Sequence, residues 1–133
     1  MTRSELRKNI FKIIFRLEFH EGEGMEEQLA LRLSELEEEG VKDAELEYIG
    51  KKAQAIMENM AELDEAIAAH SKGWKIDRLG KTELAILRVA AYEILKDEDI
   101  PKSVAINEAV ELAKMYSGDE APRFINGILA KLG

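Results

Sequence analysis

Lys81 to Leu95 is apolar on nearly every side of a helix. Leu84, Ala85, Ile86, Leu87, Val89, Ala90, Ala91 and Ile94 leave no broad polar face at 3.6 residues per turn. A helix of that kind has to be surrounded, so the chain must place other elements around it. Its other segments read as helices too. Ala, Leu, Ile, Glu and Lys dominate, prolines number only two, and no segment alternates with the two-residue period of a strand. The expected fold class is all-α.

Ser4 to Phe19 forms the first expected helix, with Leu6, Ile10, Ile13, Ile14 and Leu17 on one stripe and Lys8, Lys12 and Arg16 on the far side. His20 to Gly24, with two glycines, ends it. Met25 to Glu39 follows, with Leu29, Leu33 and Leu36 inward and Gly40 as its stop. One long helix is expected from Asp43, as N-cap, to Ala69, because Ile49, Ala53, Ile56, Met60, Leu63 and Ile67 keep the period throughout. Ser71 to Gly80 changes direction, with a short helix near Trp74. Lys102 to Tyr116, started by Pro101, and Glu120 to Leu132, with Pro122 in its first turn, complete the set.

A chain of 133 residues suits one domain with a sizeable core. Without cysteine it has no disulfide framework and no thiolate metal site. No apolar run approaches the roughly 20 residues that span a bilayer, so a cytoplasmic protein is expected. The net charge is −8 and uneven. Residues 1–20 carry five Lys/Arg against two Asp/Glu, residues 21–70 carry four against fifteen, and residues 71–133 carry ten against ten. A chain this acidic does not coat nucleic acid nonspecifically. Any RNA contact must be local and use the basic N-terminal end.

Catalytic groups do not converge in the sequence. His20 and His70 sit at expected helix ends, without the spacing of a helical metal pair. Gly22 and Gly24 lack the strand and helix context of a phosphate loop. Asp97-Glu98-Asp99 lacks the spaced oxygens of a calcium loop and reads as a turn. No enzyme, metal or cofactor is expected. Arg3 and Arg7 lie one turn apart, either as cations snorkelling beside a core face or as forks for phosphate oxygens. Phe124, after Arg123, is either core or a platform for a stacked base. Arg88 and Glu93 on the apolar helix must be paired or hydrogen-bonded if buried. Ser103, Asn107, Glu111 and Lys114 share one arc and read as a solvated face. Asn126-Gly127 offers room for another backbone.

Some of these polar residues exceed what amphipathic packing requires, and they fall into recognisable runs. The runs are Asp77-Arg78-Leu79, Ala85 through Leu95, Ile100-Pro101, Ile106 through Lys114, and Phe124 through Leu129. Together they resemble the C-terminal half of the NusB family, all-helical transcription antitermination factors. Glu58 through Asp64 resembles the family's third helix, and Arg3, Arg7 and Ile14-Phe15 match its arginine-rich first helix. Ser4 stands where many relatives carry a further basic residue, which thins the basic patch.

The resemblance implies a seven-helix bundle over residues 1–133, in two packed halves of about 1–70 and 71–133. It implies a non-catalytic adaptor that binds boxA RNA of ribosomal-RNA leader transcripts together with NusE, a ribosomal protein, in an RNA polymerase antitermination complex. Neither a membrane nor a small-molecule substrate is implied. By position, Arg3, Arg7, Arg123 and Phe124 would face RNA. Glu83, Arg88 and Tyr92 lie on the helix that in the family is near NusE. The alternative is a NusB-like protein-interaction module with weak or no RNA binding of its own.

Overall fold

The computed structural model describes residues 1–19, 24–71 and 79–133. His20, Gly22, the expected short helix near Trp74, and Asp77-Arg78 lie outside them. The described residues form seven α-helices and no strand: α1 Arg3–Leu17, α2 Met25–Glu38, α3 Asp43–Glu58, α4 Met60–Ala69, α5 Lys81–Lys96, α6 Lys102–Tyr116 and α7 Ala121–Ala130. The fold class is all-α. By internal contacts the chain divides into two compact units, Met1–Glu58 and Asn59–Gly133.

In the first unit α1 and α2 each pack on α3 and on one another. The α1 stripe of Leu6, Ile10, Ile13, Ile14 and Leu17 is buried as the spacing predicts, and Phe11 joins it. The start of α1 falls earlier than expected, at a capping box. Thr2 Oγ1 accepts from the Glu5 amide at 3.1 Å, and the Glu5 carboxylate reaches back to the Thr2 amide. Gly40 ends α2 as expected. It takes a left-handed φ of 92°, its amide bonds to the Glu37 carbonyl, and the Val41 amide bonds to Leu36. Leu33 is only half-buried and lies over Gly50, where a Cβ would come 3.1 Å from Leu33 Cδ1.

Two details of the third helix differ from the sequence reading. Asp43 is its first helical residue, not its N-cap; the Lys42 carbonyl accepts from Leu46 at 2.9 Å. The carboxylate still sits favourably at the positive helix end. The long helix is also interrupted at Asn59, whose φ of −108° and ψ of 12° leave the helical region. Asparagine is a poor interior residue and a good helix starter, and its carbonyl opens α4 by accepting from Leu63 at 2.9 Å. Ile49, Ala53, Ile56, Leu63 and Ile67 are all buried on either side of Asn59.

In the second unit α5 contacts α4, α6 and α7, and α6 packs on α7. Residues Leu84 to Ala91 are buried without interruption, as a helix apolar on all sides requires. Pro101 sits just outside α6 as its N-cap, and its carbonyl accepts from Val104 and Ala105. Pro122 lies in the first turn of α7 as expected. Lys102 Nζ donates to the Ala130 carbonyl at 2.9 Å, placing a cation at the negative end of α7. No described helix is long and apolar enough to cross a membrane.

Candidate nucleic-acid interface

Arg3 is the first residue of α1 and is exposed. The capping box fixes the backbone that carries it. Its Nη1 donates to Tyr48 Oη at 3.2 Å, and its guanidinium lies 5.3 Å from the centre of the Tyr48 ring. Lys52, one turn further along α3, donates to the same oxygen at 3.3 Å and lies 5.4 Å from the same ring. Tyr48 therefore ties an exposed arginine on α1 to a buried lysine on α3 through hydrogen bonds and cation–π contacts. Sequence reasoning passed over Tyr48 and Lys52. Their signal was the i, i+4 spacing of an aromatic and a cation on one helix.

Arg7 lies on the same helix but is only 4 % exposed. It belongs to the packed side of α1 and does not present an open fork. Lys12, on the far stripe, is exposed, while Arg16 faces Glu35 at 3.7 Å. A hollow of about 400 Å³ elsewhere in this unit is lined by Glu26, Glu27 and Glu58, and its carboxylates disfavour a polyanion.

The second unit carries the other expected residues. On α7, Arg123 is exposed and Phe124 half-buried, while Ile125, Ile128 and Leu129 turn inward. Phe124 thus keeps part of its ring open next to a cation. Asn126 and Gly127 are exposed, and a Cβ on Gly127 would meet nothing within 4 Å among the described residues. The expected close backbone approach at Asn126-Gly127 is absent there.

Arg88 on α5 is 7 % exposed and forks onto Asp64 of α4, Nε to Oδ1 at 2.7 Å and Nη2 to Oδ2 at 2.8 Å. Burial works against both charges, lifting the Asp64 carboxyl up to about 6 and holding Arg88 down at about 10. Both stay charged at neutral pH, joined by a two-bond fork. Arg88 is thus built into the fold. Glu83, half-buried in the first turn of α5, accepts a hydrogen bond from Ser117 Oγ at the end of α6. Tyr92 is half-buried and Glu93 fully buried. On α6, Ser103, Asn107, Glu111 and Lys114 are exposed, with Lys114 on Glu111 at 3.3 Å, the solvated face the spacing predicts. Among the described residues no group of three or more His, Cys, Asp or Glu could hold a metal ion.

The NusB family model matches residues 4–133. The transcription antitermination protein NusB of Agathobacter rectalis is 52% identical over 131 residues, covering 98% of each chain. That of Lachnoclostridium phytofermentans is 45% identical, covering 99% of this chain and 98% of its own. Among solved structures, T. maritima NusB superposes with a TM-score of 0.88 at 33% identity, covering 98% of this chain and 89% of that one. A structure described as antitermination factors NusB and NusE in complex with dsRNA matches at a TM-score of 0.80 and 27% identity, covering 98% and 96%. The chain belongs to the NusB family, a family of transcription antitermination proteins and not of enzymes.

Proposed function

We propose that this chain is a cytoplasmic antitermination adaptor. In this reading it binds boxA-type single-stranded RNA of ribosomal-RNA leader transcripts together with NusE, within an RNA polymerase antitermination complex. The observation that carries the reading is the exposed Arg3, held in place by Tyr48 at the one basic end of an acidic chain. Arginine offers a planar fork to phosphate oxygens, and unstacked bases are read by stacking and edge contacts. Arg123 and Phe124 supply a second cation and a part-open ring. Arg7, being buried, acts by supporting α1. Glu83 and Tyr92 are the partner-facing residues of α5, and Arg88 braces that helix from within. A basic ribosomal protein would offset the net charge of −8.

A titration of boxA-type RNA against a scrambled RNA, with and without NusE and at several salt concentrations, tests the reading. Preferential binding that strengthens with NusE is expected. Binding no better than scrambled RNA, even with NusE present, would sink it. The same charge of −8 favours a second reading, a protein-interaction module without RNA affinity. NusE binding with no gain in RNA binding would establish that one instead. Arg123→Gln should weaken RNA binding uniformly across sequences and lower the salt slope by about 0.7, the value for one phosphate of a single strand.

A further inference from the structure

We propose that the contact between Glu83 and Ser117 sets the position of the Arg123–Phe124 end of α7 for RNA, which makes both of them positioning residues of that site. The inference rests on the RNA-binding reading above. It goes beyond that reading in giving Glu83, a partner-facing residue of α5, and Ser117 a part in holding RNA. All the groups involved lie in the second unit. Ser117 is the C-cap of α6, and its amide bonds to the Ala113 carbonyl at 2.9 Å. Gly118 and Asp119 separate it from Glu120, the N-cap of α7, and the Ala121 amide closes that turn on the Gly118 carbonyl at 3.1 Å. Arg123 and Phe124 follow within the first turn of α7. A side chain that holds Ser117 therefore holds the entry to the turn that carries them.

The start of α5 places Glu83 for this. It is the third residue of that helix and half-buried, its Oε2 accepts from Ser117 Oγ, and its Oε1 fills the space beside the exposed N-cap Gly80. A Cβ on Gly80 would collide with that oxygen and come 3.1 Å from Glu83 Cδ. The Gly80 backbone, at φ −64° and ψ 154°, suits any residue, so the glycine serves to leave room for the carboxylate. The opposite end of α7 is tied by a different side chain, Lys102, whose Nζ donates to the Ala130 carbonyl at 2.9 Å. Phe124 lies about 9 Å along the helix from Ala130, at 1.5 Å per residue. Of these two ties, the one at Ser117 is next to the cation and the part-open ring. With it in place, less freedom of Arg123 and Phe124 is lost when RNA binds.

The test measures RNA binding, with and without NusE, for the full chain and for Ser117→Ala, Ser117→Thr, Gly80→Ala and Lys102→Met. Each is titrated well below its own melting temperature, and NusE affinity is measured separately without RNA. Ser117→Ala should weaken RNA binding by about 2- to 10-fold, the range for one side chain whose freedom has to be lost on binding. It should leave NusE affinity at the parent value. Gly80→Ala should weaken RNA binding to a similar extent with Glu83 and Ser117 both present, because the rigid carboxylate is pushed away from the serine. Ser117→Thr, which keeps the hydroxyl, should bind RNA as the parent does. So should Lys102→Met, which frees only the far end of α7. In a chain already carrying Arg123→Gln and Phe124→Ala, titrated at low salt, Ser117→Ala should cause no further loss, since it acts through those two side chains. Parent-like RNA affinity in both Ser117→Ala and Gly80→Ala, an equal loss in Lys102→Met, or a full additional loss in the doubly substituted chain would overturn the proposal and leave the RNA-binding reading standing. Absence of RNA binding by the parent, even with NusE, would overturn both.

Discussion

Replacing Asp64 with alanine is expected to cost roughly 3–5 kcal/mol of folding stability, because it takes a two-bond carboxylate partner from a buried guanidinium. Arg88 is 7 % exposed and its two-bond fork onto Asp64 joins α5 to α4. Burial already disfavours both charges, so their mutual contact is what makes the arrangement tolerable. A loss of that size lowers the melting temperature by on the order of 10–20 °C. The double change Asp64→Leu with Arg88→Met removes both charges together and should lie near the parent stability. Thermal and urea unfolding of Asp64→Leu, Arg88→Met and the double variant form a cycle that measures the coupling. A single-variant cost under about 1 kcal/mol would show that the fork is not what holds these two helices.

Phe124→Ala should weaken RNA binding by about 1–3 kcal/mol, the worth of one stacked base. That corresponds to roughly 5- to 150-fold in affinity. The residue is half-buried beside the exposed Arg123, so part of its ring anchors α7 and part is open. Stability and binding therefore have to be read together. An equilibrium titration well below the melting temperature isolates the binding loss, and Phe124→Trp, which keeps an aromatic face, should retain most of the affinity. Equal affinities for parent and alanine variant would return Phe124 to the core alone.

The sequence carried much of this because apolar spacing is a direct record of burial. Every residue of the expected α1 stripe is buried, and the run from Leu84 to Ala91 is surrounded as its composition requires. The break at Asn59 escaped notice because the apolar spacing continues across it in the sequence. The Thr2–Glu5 capping box was legible, since a threonine followed three residues later by glutamate marks a helix start. Partners distant in the chain left no such trace. Nothing local to Arg88 names Asp64, which lies 24 residues away, and nothing local to Arg3 names Tyr48, 45 residues away. Arg7 shows the opposite difficulty: its spacing from Arg3 suggested a shared edge, but a shift of four residues moves it to the buried side.

The continuous burial of α5 also governs how this chain can change over time. A helix with one buried stripe, such as α1, accepts substitution on its open side, so tolerance rises and falls every three or four positions. Along Leu84 to Ala91 there is no open side. Small residues such as Ala85, Ala90 and Ala91 cannot grow without displacing a neighbouring helix, and large ones such as Ile86 and Leu87 cannot shrink without leaving a void. Variation there is confined to exchanges that conserve volume, or to paired changes in which a facing helix alters in compensation. The segment that identifies the family is therefore also the one least free to drift.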